Sequence, residues 1–361
     1  MTGLRSWIAA FALFALLVPI DGTARAQAPY YEGKTVKVIV GLRAGGTADT
    51  FIRTFTDYWQ KYVPGNPTMV VENMPGSGNL IATNHVYEAV EPDGLTLVYG
   101  PWVPTAQALD LPELRADYAN FEFVGASSDI RVSYMRKDVP PGLTKPADIV
   151  KLETFNVGGN APTDFVDLLS RMSLDLIGAK YNYVTGYRGG SAIYAAILAN
   201  EAQYANTSYG TLVTRSADFI AEGGDGMPVY YFCTRNTAGE FVRKELQGNI
   251  PCFVDLYEEI HGKPPSGPVW DALDWLVELA AKVTFLALAP PGTPQEAVVA
   301  LREGFYKAAA DEELQKLFIE RTGEPVEFVP AEEGPAALEV LAATSDEIKK
   351  VLREYVESGQ K

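Results

Sequence analysis

Short apolar runs alternate with glycine- and proline-rich breaks along most of the chain. Residues 36–40 (Val-Lys-Val-Ile-Val) are β-branched and apolar and predict a buried strand. A glycine turn over 41–46 follows. A helix is then expected from about Thr50, with Phe51, Ile52, Phe55, Tyr58 and Trp59 at helical spacing and Thr47 or Asp49 placed to cap it. Residues 68–73 and 95–100 read as two further strands separated by a helix over 80–89. This β-α-β-α-β order implies a parallel sheet with helices on its faces. Strands over 121–128 and 131–136 leave this unit, and a short helix over 146–151 follows a proline-rich loop.

A second unit repeats the plan. It has a strand at 154–159, the loop Asn160-Ala161-Pro162-Thr163-Asp164 and a helix over 165–176. A strand at 181–184 leads through Gly186-Tyr187-Arg188-Gly189-Gly190 to a helix over 191–198. A strand over 203–206 ends in a loop over 207–210, before a helix over 213–222. Residues 228–232 read as a strand returning to the first unit. Helices are expected over 253–261, 270–288, 295–310, 311–321 and 335–358. Two α/β units with glycine loops at their strand ends predict a cleft between them, because ligands sit beyond the carboxyl ends of strands in open α/β sheets.

The N-terminus changes the picture of where the chain works. Arg5, an apolar run over 7–20 and Ala24-Arg25-Ala26 read as a signal peptide over 1–26, which places the product in the periplasm. The formal net charge of −16 argues against nucleic acid or an anionic membrane as partner, but a local pocket for a small anion is compatible with it. Cys233 and Cys252 are the only cysteines, and in an exported chain a disulfide is expected, worth about 3 kcal/mol on the chain-entropy model; two separate buried thiols are the alternative. With two histidines, His85 and His261, no metal site is expected and no cofactor motif is present. Ser77 lies in Pro-Gly-Ser-Gly-Asn rather than a nucleophile elbow, so the chain is not read as an enzyme.

Six segments in order are more specific. Val38-Ile39-Val40 with Gly45-Gly46-Thr47-Ala48-Asp49 resembles the first strand and loop of the Bug family, the substrate-binding receptors of tripartite tricarboxylate transporters. Residues 70–79 (Val-Val-Glu-Asn-Met-Pro-Gly-Ser-Gly-Asn) are similar to its second signature and 92–97 (Pro-Asp-Gly-Leu-Thr-Leu) to its next. Tyr187-Arg188-Gly189-Gly190, residues 289–294 and Glu324-Pro325-Val326 also match in place. The resemblance implies a type II periplasmic binding protein fold, two α/β lobes joined by a two-strand hinge, with lobe 1 over 27–127 and 228–361 and lobe 2 over 128–227. It implies a monomer that captures a small organic acid and delivers it to membrane permease subunits. A periplasmic sensor feeding a membrane signalling partner is the alternative.

Carried over, the family's ligand loops are Gly45, Gly46, Thr47 and Asp49, and Ala161, Pro162, Thr163 and Asp164. This chain departs from the family in having Leu42-Arg43-Ala44 in place of prolines and Asp164 in place of His. It also has Arg188 in place of Lys, and the segment over 234–248 is longer. Arg43 and Arg188 are candidate carboxylate partners, Arg188 flanked by Tyr187 and Gly189. Thr47 and Thr163 suit both hydroxyl donation and helix capping. Trp102 and Tyr209 follow strand ends and suit either a ligand wall or packing.

Overall fold

A computed structural model of the protein describes residues 28–187, 189–236, 238–322 and 326–359. The expected signal peptide and Arg188 lie outside the described residues. The first sheet contains β1 (Thr35–Val40), β2 (Thr68–Asn73), β3 (Thr96–Pro101), β4 (Glu122–Ser127) and a late strand, β10 (Phe285–Ala289), in the order β2-β1-β3-β10-β4. β1 runs parallel to β2 and β3, and β10 runs antiparallel to β3 and β4. The second sheet contains β5 (Arg131–Arg136), β6 (Phe155–Gly158), β7 (Tyr181–Val184), β8 (Tyr204–Ser208) and β9 (Gly226–Tyr231), in the order β7-β6-β8-β5-β9. The two sheets share one plan. A parallel trio is continued by a strand that enters from the other lobe: β5 directly after β4, and β10 after β9 and its helices.

Helices α1 (Thr47–Tyr62), α2 (Leu80–Ala89) and α3 (Pro104–Ala108) follow the first three strands. Helices α4 (Phe165–Ile177), α5 (Gly190–Leu198), α6 (Tyr209–Arg215) and α7 (Ala217–Ile220) belong to the second lobe. The return path carries α8 (Phe253–His261) and α9 (Pro268–Leu276). After β10 come α10 (Gln295–Ala309), α11 (Glu312–Thr322), α12 (Glu333–Ala342) and α13 (Asp346–Ser358).

Two observations explain why these elements hold together. In the first lobe α1 and α10 bury Phe55, Trp59 and Phe305 against Tyr99 of β3, and the Trp59 indole donates to the Leu301 carbonyl at 2.9 Å. In the second, Leu168, Leu169 and Met172 of α4 join an apolar cluster that includes Leu273 and Leu276 of α9, Leu352 of α13 and, in the first lobe, Val98 and Trp102. Cys233 and Cys252 form the expected disulfide with Cα atoms 5.6 Å apart, tying the chain just after β9 to the N-cap of α8.

The structure departs from the sequence pattern in several places. The boundary expected at 227/228 falls inside β9, which pairs with β5 in the second sheet. Helices α9 and α13 pack against α4, so much of the return path stands with the second lobe. The helix expected over 270–288 ends in a π-helical turn at Ala281, and Phe285–Ala289 becomes β10. Flanked by strands and covered on both faces, β10 is apolar at every position and carries no alternation to distinguish it from a buried helix. The expected 335–358 helix is two helices, broken where Ser345 accepts from the Ile348 N–H and starts α13. The 207–210 loop is absent, because β8 runs to Ser208 and α6 begins at Tyr209.

Candidate ligand-binding cleft

In parallel sheets the helix that follows each strand begins at the strand's carboxyl end. The loops after β1, β2 and β3 therefore gather at one end of the first sheet, and those after β6, β7 and β8 at one end of the second. These two ends face each other. The Thr105 hydroxyl, at the start of α3, donates to the Thr163 carbonyl before α4 at 3.3 Å. α11 also rests against α6 of the second lobe.

The first-lobe wall is locked by buried polar groups. Asn79 adopts a left-handed backbone conformation, with φ of +86°, at the head of α2. Its Oδ1 accepts from the Gly41 N–H at 2.8 Å and its Nδ2 donates to the Pro101 carbonyl at 2.7 Å, so one side chain joins the loops after β1, β2 and β3. A Cβ at Gly41 would lie 2.0 Å from Asn79 Oδ1, so only glycine fits. Asp49 is 1 % exposed and accepts from the Gly45 N–H, Arg53 Nε and Asn73 Nδ2 at 2.8, 3.0 and 2.6 Å. Burial pushes its carboxyl up, but these bonds outweigh burial and hold it below the ordinary range. Asp49 therefore acts on the loop from behind, not as a cap. Gly46 is the N-cap of α1, and no side chain caps that helix. Thr47 is its first residue, Gly45 turns with φ of +80°, and Arg43 is exposed beside them.

The second-lobe wall is held by a different pair. Asp164 is the N-cap of α4, its Oδ1 accepting from the Val166 N–H at 2.8 Å. Asp167, 2 % exposed, accepts from the Ala161 N–H at 2.8 Å and the Tyr183 hydroxyl at 2.7 Å. Burial, then the Asp164 charge, push the Asp167 carboxyl up to about 8. Burial likewise raises Asp164, with Arg131 and the Val166 N–H opposing it. The Gly189 N–H donates to Asn160 Oδ1 at 2.9 Å and the Tyr187 N–H to the Gly159 carbonyl at 3.2 Å, which fixes one glycine loop upon the other. Gly189 is the N-cap of α5, again without a side-chain cap. Pro162 and Thr163 complete the loop, partly buried.

Two aromatic candidates are buried and partnered within the protein. Trp102 is 2 % exposed, packs edge-on against Tyr118, and donates its indole N–H to the Val283 carbonyl at 2.5 Å. Tyr209 is 5 % exposed, and its hydroxyl accepts from the Gln247 N–H at 3.0 Å. Both rings are buried, with their polar tips satisfied by backbone groups.

One charged residue at this cleft went unread in the sequence. Arg131, the first residue of β5, has a side chain only 14 % exposed. Its guanidinium pairs with Asp129 at 3.1 Å and lies 5.2 Å from the Phe165 ring centroid at the start of α4. A lone Arg after a three-residue crossover carries no spacing signal. Among the described residues no cluster of three or more His, Cys, Asp or Glu is placed to hold a metal ion, and no helix is long and apolar enough to cross a membrane. The uncapped starts of α1 and α5 leave backbone N–H groups that favour an anion.

No family model matches the chain. A UPF0065 protein of Cupriavidus necator, from the gbd 5′ region, is 34% identical over 74 residues, a match spanning 20% of this chain and 22% of that one. Solved structures align over far more of the length. A TctC solute-binding protein from Polaromonas aligns at a TM-score of 0.60 and 17% identity, covering 91% of this chain and 99% of that one. A Rhodopseudomonas palustris protein solved with adipate aligns at 0.63 and 16%, covering 90% and 98%. The periplasmic binding protein BugD aligns at 0.59 and 19%, covering 91% and 98%. The chain has the fold of the TctC- and Bug-type periplasmic solute-binding proteins, which is the resemblance its six sequence segments carry.

Proposed function

We propose that the protein is a periplasmic receptor that closes its two lobes on a small organic carboxylate and delivers it to the permease of a tripartite tricarboxylate transporter. The observation that carries this reading is the pair of facing strand ends, joined by the Thr105–Thr163 hydrogen bond and supplied with uncapped helix starts from both lobes. A ligand between such walls touches both and favours the closed arrangement by its differential affinity. Structures with the same fold support the ligand class: one is solved with adipate, and MatC from R. palustris is solved with malate at a TM-score of 0.57 and 19% identity. Binding at Gly45, Gly46, Thr47, Ala161, Pro162, Thr163 and Gly189 is part of the proposal, as is the periplasmic location. Native mass spectrometry of protein purified from its own periplasm tests the reading. An organic acid travelling with the chain is expected, and small-angle scattering should show compaction when that acid is added back. A purely cationic ligand, or no carboxylate bound from a broad panel, would sink it.

A further inference from the structure

Two buried polar atoms on the second sheet have no hydrogen-bond partner. One is Nε of Arg131 and the other is Oδ1 of Asn206. β5 and β8 run antiparallel, with Arg131 opposite Ser208 and Ser133 opposite Asn206. Arg131 and Asn206 are therefore diagonal neighbours on one face of the sheet, a separation of about 7–8 Å that long side chains bridge. Asn206 Nδ2 donates to Ser133 Oγ at 3.2 Å, which turns the other end of its amide away from Ser133.

Their position relative to the first lobe follows from their neighbours. The Arg131 guanidinium lies over Phe165, and its charge acts on Asp164, so it stands at the first turn of α4. The next residue back, Thr163, meets Thr105 of the first lobe. The ion pair with Asp129 runs through Nη2, and Nε has no hydrogen-bond partner. Buried polar groups are almost always partnered, and a guanidinium presents its donors as a planar fork that matches a carboxylate. A buried unpaired donor and a buried unpaired acceptor on one sheet face, near the α4 turn that meets the first lobe, suit a ligand that carries the complementary pair.

We propose that Arg131 and Asn206 form the polar grip of the cleft and select a carboxylate with a hydrogen-bond donor on the adjacent carbon, a hydroxyl or an ammonium group. This deepens the proposed function and rests on it. The carboxylate occupies the Nε edge of the guanidinium, and the neighbouring O–H or N–H points at Asn206 Oδ1.

Titration calorimetry on the full mature chain with malate, aspartate and succinate, and with their six-carbon homologues, tests this. Within each set the compounds differ only in the group beside one carboxylate. The parent is expected to bind the hydroxy or amino member about 2- to 10-fold tighter than the unsubstituted one, the worth of one neutral hydrogen bond. Asn206→Ala should erase that preference while keeping the binding of the unsubstituted acid. Arg131→Ala should weaken the whole set by about 10- to 100-fold, the worth of a charge-assisted bond, and Arg131→Lys should recover part of the loss. Thermal unfolding without ligand checks that each variant is folded. If Arg131→Ala is not folded, the comparison of Arg131→Lys with Arg131→Gln carries the test, since only the lysine variant keeps the charge. A parent that binds a carboxylate while both arginine variants bind it equally well overturns this inference and leaves the function standing. A parent indifferent to the adjacent group overturns the role of Asn206. A parent that binds no carboxylate at all overturns the functional reading itself.

Discussion

Asp167 shows how one residue can hold a loop and tune stability together. Its carboxyl is raised from the ordinary 3.8 to about 8 by burial and by Asp164, so the folded protein binds a proton there that the unfolded chain releases. Its contribution to stability is fully present below about pH 4 and is lost as pH rises through about 8. Asp167→Asn keeps an oxygen for the Ala161 N–H and the Tyr183 hydroxyl but cannot ionise. Between pH 5 and 8.5 the parent should lose more thermal stability than Asp167→Asn, measured by calorimetry in matched buffers. Equal slopes would show that Asp167 is already ionised at pH 5. The residue scale is also where the sequence was least legible. Glycine loops at 41–46 and 185–190 were legible as strand-end turns. Trp102 and Tyr209 followed strand ends as a ligand wall would, yet their polar tips find backbone partners inside the core. Arg131 had no motif, and only three-dimensional placement beside Phe165 gives it meaning.

At the scale of elements, local pattern located most strands and helices but could not assign them to lobes. β1, β2 and β3 are legible because each is followed by a turn and a helix start. β10 is not, because a strand covered on both faces reads as continuously apolar. The placement of β9, α9 and α13 with the second lobe depends on partners distant in sequence. Only the folded chain reveals that α13, the last helix, closes over α4 and α9. Its amphipathic face carries Val351, Leu352 and Val356, all buried, and Tyr355 bonds Asp175 at 2.6 Å. Leu352 is 0 % exposed, so Leu352→Ala should cost about 2–5 kcal/mol, the sum of lost transfer energy and an unfilled cavity. Urea denaturation followed by circular dichroism reads this directly. A loss below about 1 kcal/mol would mean that α13 docks loosely and that α4 is covered without it.

At the scale of the whole molecule, the formal charge of −16 opposes the carboxylate ligand proposed for the cleft. The two effects act over different distances. Repulsion between an acidic protein and an approaching dicarboxylate is long-range, and salt screens it beyond about 30 Å at 0.01 M and about 8 Å at 0.15 M. The proposed contact with Arg131 is short-range and at a side chain only 14 % exposed, so salt should touch it little. Raising ionic strength from 0.01 to 0.15 M should therefore speed association and leave dissociation nearly unchanged, so that affinity improves with salt. This is the reverse of the usual behaviour of an electrostatically steered complex, whose association slows as salt is added. Stopped-flow fluorescence with the acid recovered from the purified protein separates the two rates. An association rate that falls with salt would mean that the local field of Arg131 and the uncapped starts of α1 and α5 reaches beyond the cleft and outweighs the acidic body.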